Sequence, residues 1–347
     1  MKIGILTFHW ATNYGAILQA YCLQEYLTSQ GHDVSIVNYK PKQYDYNWKQ
    51  LLSHPSLWKS LGKEMSKMKK EKMLENFRHK NLNTTQRCYS ANEVDAIIKG
   101  YDVLISGSDQ VLNPSFTIVG ENGKPSPVYW LAIGSEQMKR LGYAVSFGCE
   151  KYPEKAATVA KQWINGFGAI GLRENTGVNI LEQLGYKGAK TVLPDPTLLL
   201  RKGMFEKLRI DVPIKRESYT CVYMLRHEIE MSGNVLYIDE KHHPLTMEQW
   251  LRTIVCASQM VTNSYHGMIM AMFAHVPFVV LLETGSGSGM NDRFYTLLKK
   301  IGLENRMATT LDEAVEVLKQ PIDFEHMDAA IEDYRQEGIA FLCKHVN

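Results

Sequence analysis

The chain has 347 residues, 45% of them hydrophobic and 22% charged, with a formal net charge of +2 at pH 7. These values suit a folded protein of two α/β domains and give no electrostatic case for nucleic acid as a partner. No stretch approaches the roughly 18 uninterrupted apolar residues of a membrane span.

The N-terminus, Met1-Lys2-Ile3-Gly4-Ile5-Leu6-Thr7, has too short an apolar core for a signal peptide and reads as a first strand. The six cysteines are scattered, without a Cys-x-x-Cys pair. They read as reduced thiols in a cytoplasmic protein, with no disulfide frame and no zinc site. After the first strand, Asn13-Tyr14-Gly15 opens a helix over Ala16 to Ser29, with Leu18, Leu23, Tyr26 and Leu27 at helical spacing. Gly31 ends it and Asp33 to Asn38 forms the second strand. The lead-in loop lacks Gly-x-Gly-x-x-Gly, so a dinucleotide fingerprint is absent.

A basic helical insertion follows at about 45–80. In it Lys59, Lys63, Lys67, Lys69, Lys70, Lys72, Arg78 and Lys80 oppose Glu64, Glu71 and Glu75. The favoured reading is a solvated helical face, and the sharper one is peripheral contact with anionic lipid or a diphosphate-linked glycan. Strands are expected at Tyr101 to Ser106, Leu141 to Phe147 and Gly166 to Leu172. They end in Gly107-Ser108-Asp109-Gln110 after the first and Arg173-Glu174-Asn175 after the third. A helix follows at Thr176 to Leu184. A second α/β set starts at Tyr219, continues through Val235 to Ile238 and a helix at Thr246 to Ala257, and the tail from Asp323 to His345 is helical. Polar strand ends recur in both halves. The fold class inferred is therefore α/β, two Rossmann-like lobes facing a cleft, divided as residues 1–205 and 206–347.

The most informative segment is Val261 to Leu281. Thr262-Asn263-Ser264-Tyr265-His266-Gly267 sits between a short buried strand and the apolar helix Met268 to Ala274; His275-Val276-Pro277 then turns into a strand at Phe278 to Leu282. Polar residues at a strand's carboxyl end, before a helix N-terminus, stand where open α/β sheets bind ligands. A histidine there can exchange protons near neutral pH.

Five segments together resemble the polysaccharide pyruvyl transferase family. They are Asn13 to Ala20, Gly107 to Gln110, Gly171 to Asn175, Asp195 to Leu200, and Thr262 to Gly267 with the following Asn291-Asp292-Arg293 and Gly302 to Arg306. The resemblance implies a GT-B-like architecture, phosphoenolpyruvate as donor, and a glycan or lipid-linked saccharide whose hydroxyl pair accepts a pyruvate ketal. The chemistry asks for no cofactor beyond that donor substrate and no metal, since no carboxylate or histidine cluster has ligand spacing; the expected location is the cytoplasm, or the inner face of the membrane if the basic helix contacts lipid. Ser264 stands where some members have arginine. The span between Leu225 and Tyr237 is shorter than usual, which implies a shortened second lobe.

Ketal formation needs a proton carrier and cations for a carboxylate and a phosphate. His266, Arg173 and Asp109 are the catalytic candidates. Asn263, Ser264, Tyr265, Gly267 and Arg293 are expected at the donor, and Asn13, Tyr14, Gly15 and Gln110 at the acceptor. Each has a plainer reading. His266, Asn263, Ser264, Asn13 and Gly15 are placed to cap helices; Arg173 can pair with Glu174; Asp109 and Gln110 can form a turn. Arg293 follows Gly285-Ser286-Gly287-Ser288-Gly289, either a closing loop or an exposed linker. Asp195, between two prolines, reads as structural, and His9, His227 and His275 read as isolated. His242 and His243 point apart on an extended chain. Two other functions remain open on the same fold: a nucleotide-sugar glycosyltransferase and a non-catalytic glycan-binding relative.

Overall fold

The computed structural model describes residues 1–45, 61–226, 228–239 and 242–346. Residues 46–60 of the basic insertion, Lys59 among them, and His227 lie outside the described residues.

The first sheet orders its strands β2-β1-β3-β4-β5-β6: β1 Lys2–Leu6, β2 Asp33–Ile36, β3 Val103–Ser106, β4 Lys139–Val145, β5 Ala169–Leu172 and β6 Ala189–Val192. The second runs β11-β10-β9-β7-β8: β7 Thr220–Tyr223, β8 Val235–Tyr237, β9 Gln259–Thr262, β10 Phe278–Leu281 and β11 Met307–Ala308. Every pairing is parallel, with registers such as Ile3↔Val103 and Cys221↔Met260. Helices on both faces bury the inner strands, such as β3 and β7, while the edge strands β6 and β8 stay partly exposed. Strand order reverses beside β1 in one sheet and beside β7 in the other, the position where doubly wound sheets hold ligands.

Around the first sheet lie α1 Tyr14–Ser29, α2 Leu61–Asn81, α3 Ala91–Ile97, α4 Pro114–Val119, α5 Glu154–Ala160, α6 Thr176–Gln183, α7 Pro196–Leu200 and α8 Gly203–Lys207. The second carries α9 Met247–Val255, α10 Tyr265–Phe273, α11 Asp292–Lys300, α12 Leu311–Lys319 and α13 Phe324–Val346. The tail is one helix. It runs back onto the first sheet: Arg335 Nε donates to the Leu199 carbonyl at 2.7 Å, and Phe341 packs on Tyr143. Among the described residues, no helix lies between Tyr223 and Val235, so the β7–β8 crossover is irregular and the second lobe is short. No helix among the described residues is long and apolar enough to cross a membrane.

Helix α1 joins the lobes. It is buried on nearly all sides because each lobe packs against it. Tyr14 stacks on Trp250 of α9 at 5.1 Å; its hydroxyl donates to the Leu245 carbonyl at 2.6 Å and accepts from the Leu245 N–H at 3.0 Å. One apolar core therefore runs through both lobes, from Ile3 and Ile5 to Phe278 and Val280.

Candidate active site

The carboxyl ends of β5 and β6 meet the carboxyl end of β9. Arg173 is the first residue after β5, Asp195 caps α7 after β6, and His266 lies in the first turn of α10. All three are buried, at 2%, 0% and 8% exposure, so the two lobes close over them. One oxygen links them: Asp195 Oδ2 lies 3.7 Å from Arg173 Nη1 and 3.4 Å from His266 Nε2, and it accepts the Ser108 hydroxyl at 2.9 Å. Asp195 Oδ1 accepts the N–H and the hydroxyl of Thr197, at 3.0 and 2.8 Å. Burial works against charging Asp195. The charge and contact of His266, then Arg173 and the Thr197 N–H, outweigh it and hold the carboxyl well below the usual range.

Arg173 lies among three carboxylates. Besides Asp195, Glu174 Oε2 is 3.4 Å from Nε and Asp109 Oδ1 is 4.0 Å from Nη2. Burial disfavours the guanidinium charge, but these carboxylates keep it charged beyond its ordinary range. Burial pushes the Glu174 carboxyl up, with Arg173 opposing. Neither Arg173 Nη1 nor Nη2 has a hydrogen-bond partner, and both are buried. Asp109 takes a left-handed backbone with φ +87°, which a non-glycine residue holds only at a cost. The Ser146 N–H bonding to its carbonyl at 3.0 Å, and the Gln110 N–H to its side chain at 2.8 Å, keep it there.

From the second lobe comes Arg293, inside helix α11. The preceding Gly285–Met290 forms a 3₁₀ turn, exposed at Gly285 and Ser288, whose Met290 sulfur accepts from Gln110 Nε2 at 3.3 Å. Arg173 and Arg293 both lie over the Tyr265 ring, at 5.4 and 5.7 Å. Burial, then the neighbouring Arg173, lower the Arg293 guanidinium to about 10. Its buried Nε has no partner either, nor has His266 Nε2 in hydrogen-bond geometry. Buried N–H groups of two arginines, left unpaired in one place, are costly unless an anion completes them.

The remaining sequence candidates fall around this centre. Asn13 caps α1 through the Ala16 N–H at 3.0 Å, and Ser264 caps α10 through the Gly267 N–H at 3.2 Å. The Asn263 amide is engaged at both ends, accepting from the Leu225 N–H at 2.7 Å and donating to Glu283 at 2.7 Å. Tyr14 is buried as the anchor between lobes, and Gly267 packs on Met260 and Tyr223. Gly15 touches His266: a Cβ at that position would overlap the imidazole Nδ1. Asp195 was expected to be only structural; it caps α7 and also sits at the middle of the cluster. The Pro-Asp-Pro signal concealed this, since the prolines account for the turn without the carboxylate. His275 is not isolated either, lying 3.1 Å from Asp328 and 2.9 Å from Lys202. His9 meets the Thr7 carbonyl and Asn38, and His242 pairs with Asp239 at 2.7 Å. No group of three or more His, Cys, Asp or Glu among the described residues could hold a metal ion.

Two doubly wound parallel lobes that close over a buried arginine–histidine cluster define a GT-B-like fold. The UDP-GlcNAc 2-epimerase from Methanocaldococcus jannaschii is similar over 96% of this chain and 93% of that one, with a TM-score of 0.50 at 11% identity. Also similar are the spinosyn forosaminyltransferase SpnP (98% and 95% covered, 12% identity, TM-score 0.43) and the glycosyltransferase SnogD from Streptomyces nogalater (97% and 94%, 11%, 0.41). No curated protein matches the chain. A family model of polysaccharide pyruvyl transferase matches residues 13–283, and the chain belongs to that family of transferases.

Proposed function

We propose that the protein transfers the pyruvyl group of phosphoenolpyruvate to two hydroxyls of a glycan or lipid-linked saccharide, forming a pyruvate ketal for a surface polysaccharide. The observation that carries this reading is the set of buried N–H groups of Arg173 and Arg293 that have no hydrogen-bond partner, near His266, even with three carboxylates at ion-pair distance from Arg173. A carboxylate and a phosphate on one small molecule suit two guanidinium forks. Of the expected donor residues, Arg293 and Tyr265 contribute directly, while Asn263, Ser264 and Gly267 hold the turn that delivers His266.

In the proposed reaction a first hydroxyl attacks the central carbon of the enol while a proton is delivered to the methylene carbon, which becomes a methyl group. Inorganic phosphate leaves, and the second hydroxyl closes the ketal, its proton passing to the departing phosphate. His266 carries the proton between hydroxyl and methylene, and the arginines hold the anions as the phosphate departs. Asp109 is the second candidate base, and the α1 entrance at Asn13 to Gly15 with Gln110 faces the acceptor. The reaction as written needs no metal and no cofactor beyond the donor.

The nucleotide-sugar alternative would use other space. The cavity of about 420 Å³ at the carboxyl end of β1 and β2 lies beside Trp10 and Lys40, away from the second lobe. The one at the ends of β7 and β8, about 380 Å³, is lined by Glu228, Glu230 and Asp239 together with His242. A thermal-shift series decides the donor. Stabilisation by phosphoenolpyruvate supports the proposal, stabilisation by nucleotides or nucleotide sugars alone replaces it with a glycosyltransferase, and neither leaves a non-catalytic relative. Membrane contact through α2 would rest on Lys67, Lys69, Lys72 and Lys80, which are exposed; Lys70 and Arg78 are turned inward. Sedimentation with anionic vesicles that fades as salt rises would support it, and its absence would return α2 to a solvated face.

A further inference from the structure

We infer that Asp195 is the positioning residue for His266: its carboxylate stands at ion-pair distance from Nε2, 3.4 Å, and, with Gly15 packed against Nδ1 on the other side, it fixes where the imidazole sits when the lobes meet. The inference rests on the proposed pyruvyl transfer for its kinetic arm only.

The two oxygens of this carboxylate have different neighbours. Oδ1 is taken by the N–H and hydroxyl of Thr197 and fixes the side chain on α7, where Pro194 and Pro196 restrict the backbone on either side. Oδ2 is directed to Ser108, His266 and Arg173. A cap alone needs one oxygen, and asparagine, serine or aspartate caps about equally well. The second oxygen is aimed across the junction at a histidine carried by the other lobe.

The opposite side of the ring supports the assignment. Gly15 lies against Nδ1 so closely that no side chain fits between them. Nδ1 therefore meets backbone at the mouth of α1, beside the acceptor-facing residues, when the lobes are closed. A carboxylate beside one ring nitrogen biases the tautomer and stabilises the imidazolium form. The groups facing the imidazole are Asp195 from α7, Arg173 beyond that carboxylate at the end of β5, Tyr265 on its own helix, and the uncharged Gly15 from α1. Of these only Asp195 has an anionic oxygen within ion-pair distance of the ring.

Asp195→Asn is the discriminating variant, because asparagine keeps the cap and removes the charge. Melting temperature should stay near wild type. Turnover of phosphoenolpyruvate should fall by about 10²-fold or more, with the KM for phosphoenolpyruvate changed far less. Ser108→Ala, which removes one hydrogen bond to Oδ2 and leaves the cap untouched, should show a smaller loss in the same direction. It serves as the test if the asparagine variant does not fold.

A second readout does not depend on the donor. Imidazole nitrogen NMR at one fixed pH, with His266 assigned through His266→Gln, should show a different balance of ring-nitrogen tautomers in Asp195→Asn than in wild type. Wild-type protein that turns over no phosphoenolpyruvate would sink the function reading and leave Asp195 to the tautomer readout. A tautomer balance and a turnover both unchanged in a folded Asp195→Asn protein would make Asp195 a helix cap and nothing more.

Discussion

The two lobes bring different chemistry to their junction. At the edge of the first sheet, Ser108, Asp109, Arg173, Glu174 and Asp195 form a dense charged cluster, interlocked and mostly buried. At the edge of the second, Thr262, Asn263 and Ser264 are neutral and are committed to backbone: Thr262 bonds the Tyr223 carbonyl at 2.7 Å, Asn263 secures the short crossover at Leu225, and Ser264 caps α10. Of these three, Asn263 alone bonds the irregular β7–β8 connection, accepting from the Leu225 N–H. What the second lobe sends across is narrow: His266 and Arg293. The charged half is built within one lobe, whereas a complete site exists only when the lobes meet.

That division sets the largest expected effect. His266→Ala should lower turnover by about 10²–10⁴-fold, the range for losing a positioned acid/base group. His266→Gln keeps hydrogen bonding without proton transfer and should be nearly as poor. Near-normal turnover in the glutamine variant would make His266 a capping residue, with Asp109 next to be tested. Arg173→Lys, which keeps the charge but loses the planar fork, should chiefly raise the KM for phosphoenolpyruvate. Alanine there is a poorer probe, since it would strand three carboxylates.

Gly15→Ala attacks the junction itself. The added methyl overlaps His266, so the lobes cannot close as they do here. Misplacement on that scale costs about 10²-fold in rate. The helix position otherwise favours alanine, so the isolated effect on helix stability should be slightly favourable. A Gly15→Ala enzyme with wild-type turnover would show that closure is not part of the working cycle.

The sheets were legible because apolar runs bounded by glycine and polar turns leave few alternatives to buried parallel strands. Residue type pointed to Arg173, His266 and Asp109; the structure places Asp109 within 4.0 Å of Arg173 and links Arg173 to His266 through Asp195. The structural reading of Asp195 covers its cap on α7, while its contacts with Arg173 and His266 come from other parts of the chain, which local sequence does not show. Gly15 against His266 joins residues 251 positions apart, and no local pattern reports such a contact. Lys70 looked like part of a solvated charge run. Instead it donates to the Thr12 carbonyl at 3.0 Å and lies over the Tyr14 ring, which periodicity alone does not reveal.

Acid should test the first lobe separately. His9 is buried, and burial first, with Arg78 and Arg87 adding to it, lowers its pKa from 6.5 to about 4, against hydrogen bonds to Asn38 and Thr7. The folded state thus takes up its proton later than the unfolded chain does. Stability from this group is complete above pH 6.5 and is lost as pH falls from there to about 4. The loss is on the order of 3 kcal/mol at most. Urea midpoints across that window should decline less in His9→Gln than in wild type; equal declines would clear His9 of the effect.

The smallest effect expected is a helix cap that crosses between lobes. Helix α6 begins after Asn175, whose backbone is helical and whose side chain makes no cap bond. Its first N–H, at Thr176, instead donates to Asp292 Oδ2 of the second lobe at 2.8 Å, and the Asn175 N–H reaches Thr296 Oγ1 at 3.3 Å. A carboxylate at a helix N-terminus satisfies an otherwise unpaired donor and complements the helix dipole. Asp292→Ala should therefore cost about 1 kcal/mol, within the range for losing a cap, and Asp292→Asn distinctly less because it still accepts the bond. The urea midpoint should fall with the slope unchanged. If the lobes part during turnover, α6 is uncapped in the open form, and removing Asp292 should weaken closure as well as the fold. The KM for phosphoenolpyruvate would then rise in Asp292→Ala although Asp292 touches none of the proposed donor residues' unpaired groups. A lowered midpoint with an unaltered KM would confine Asp292 to stability and place the closing energy elsewhere, with the Tyr14–Leu245 bonds the next pair to cut.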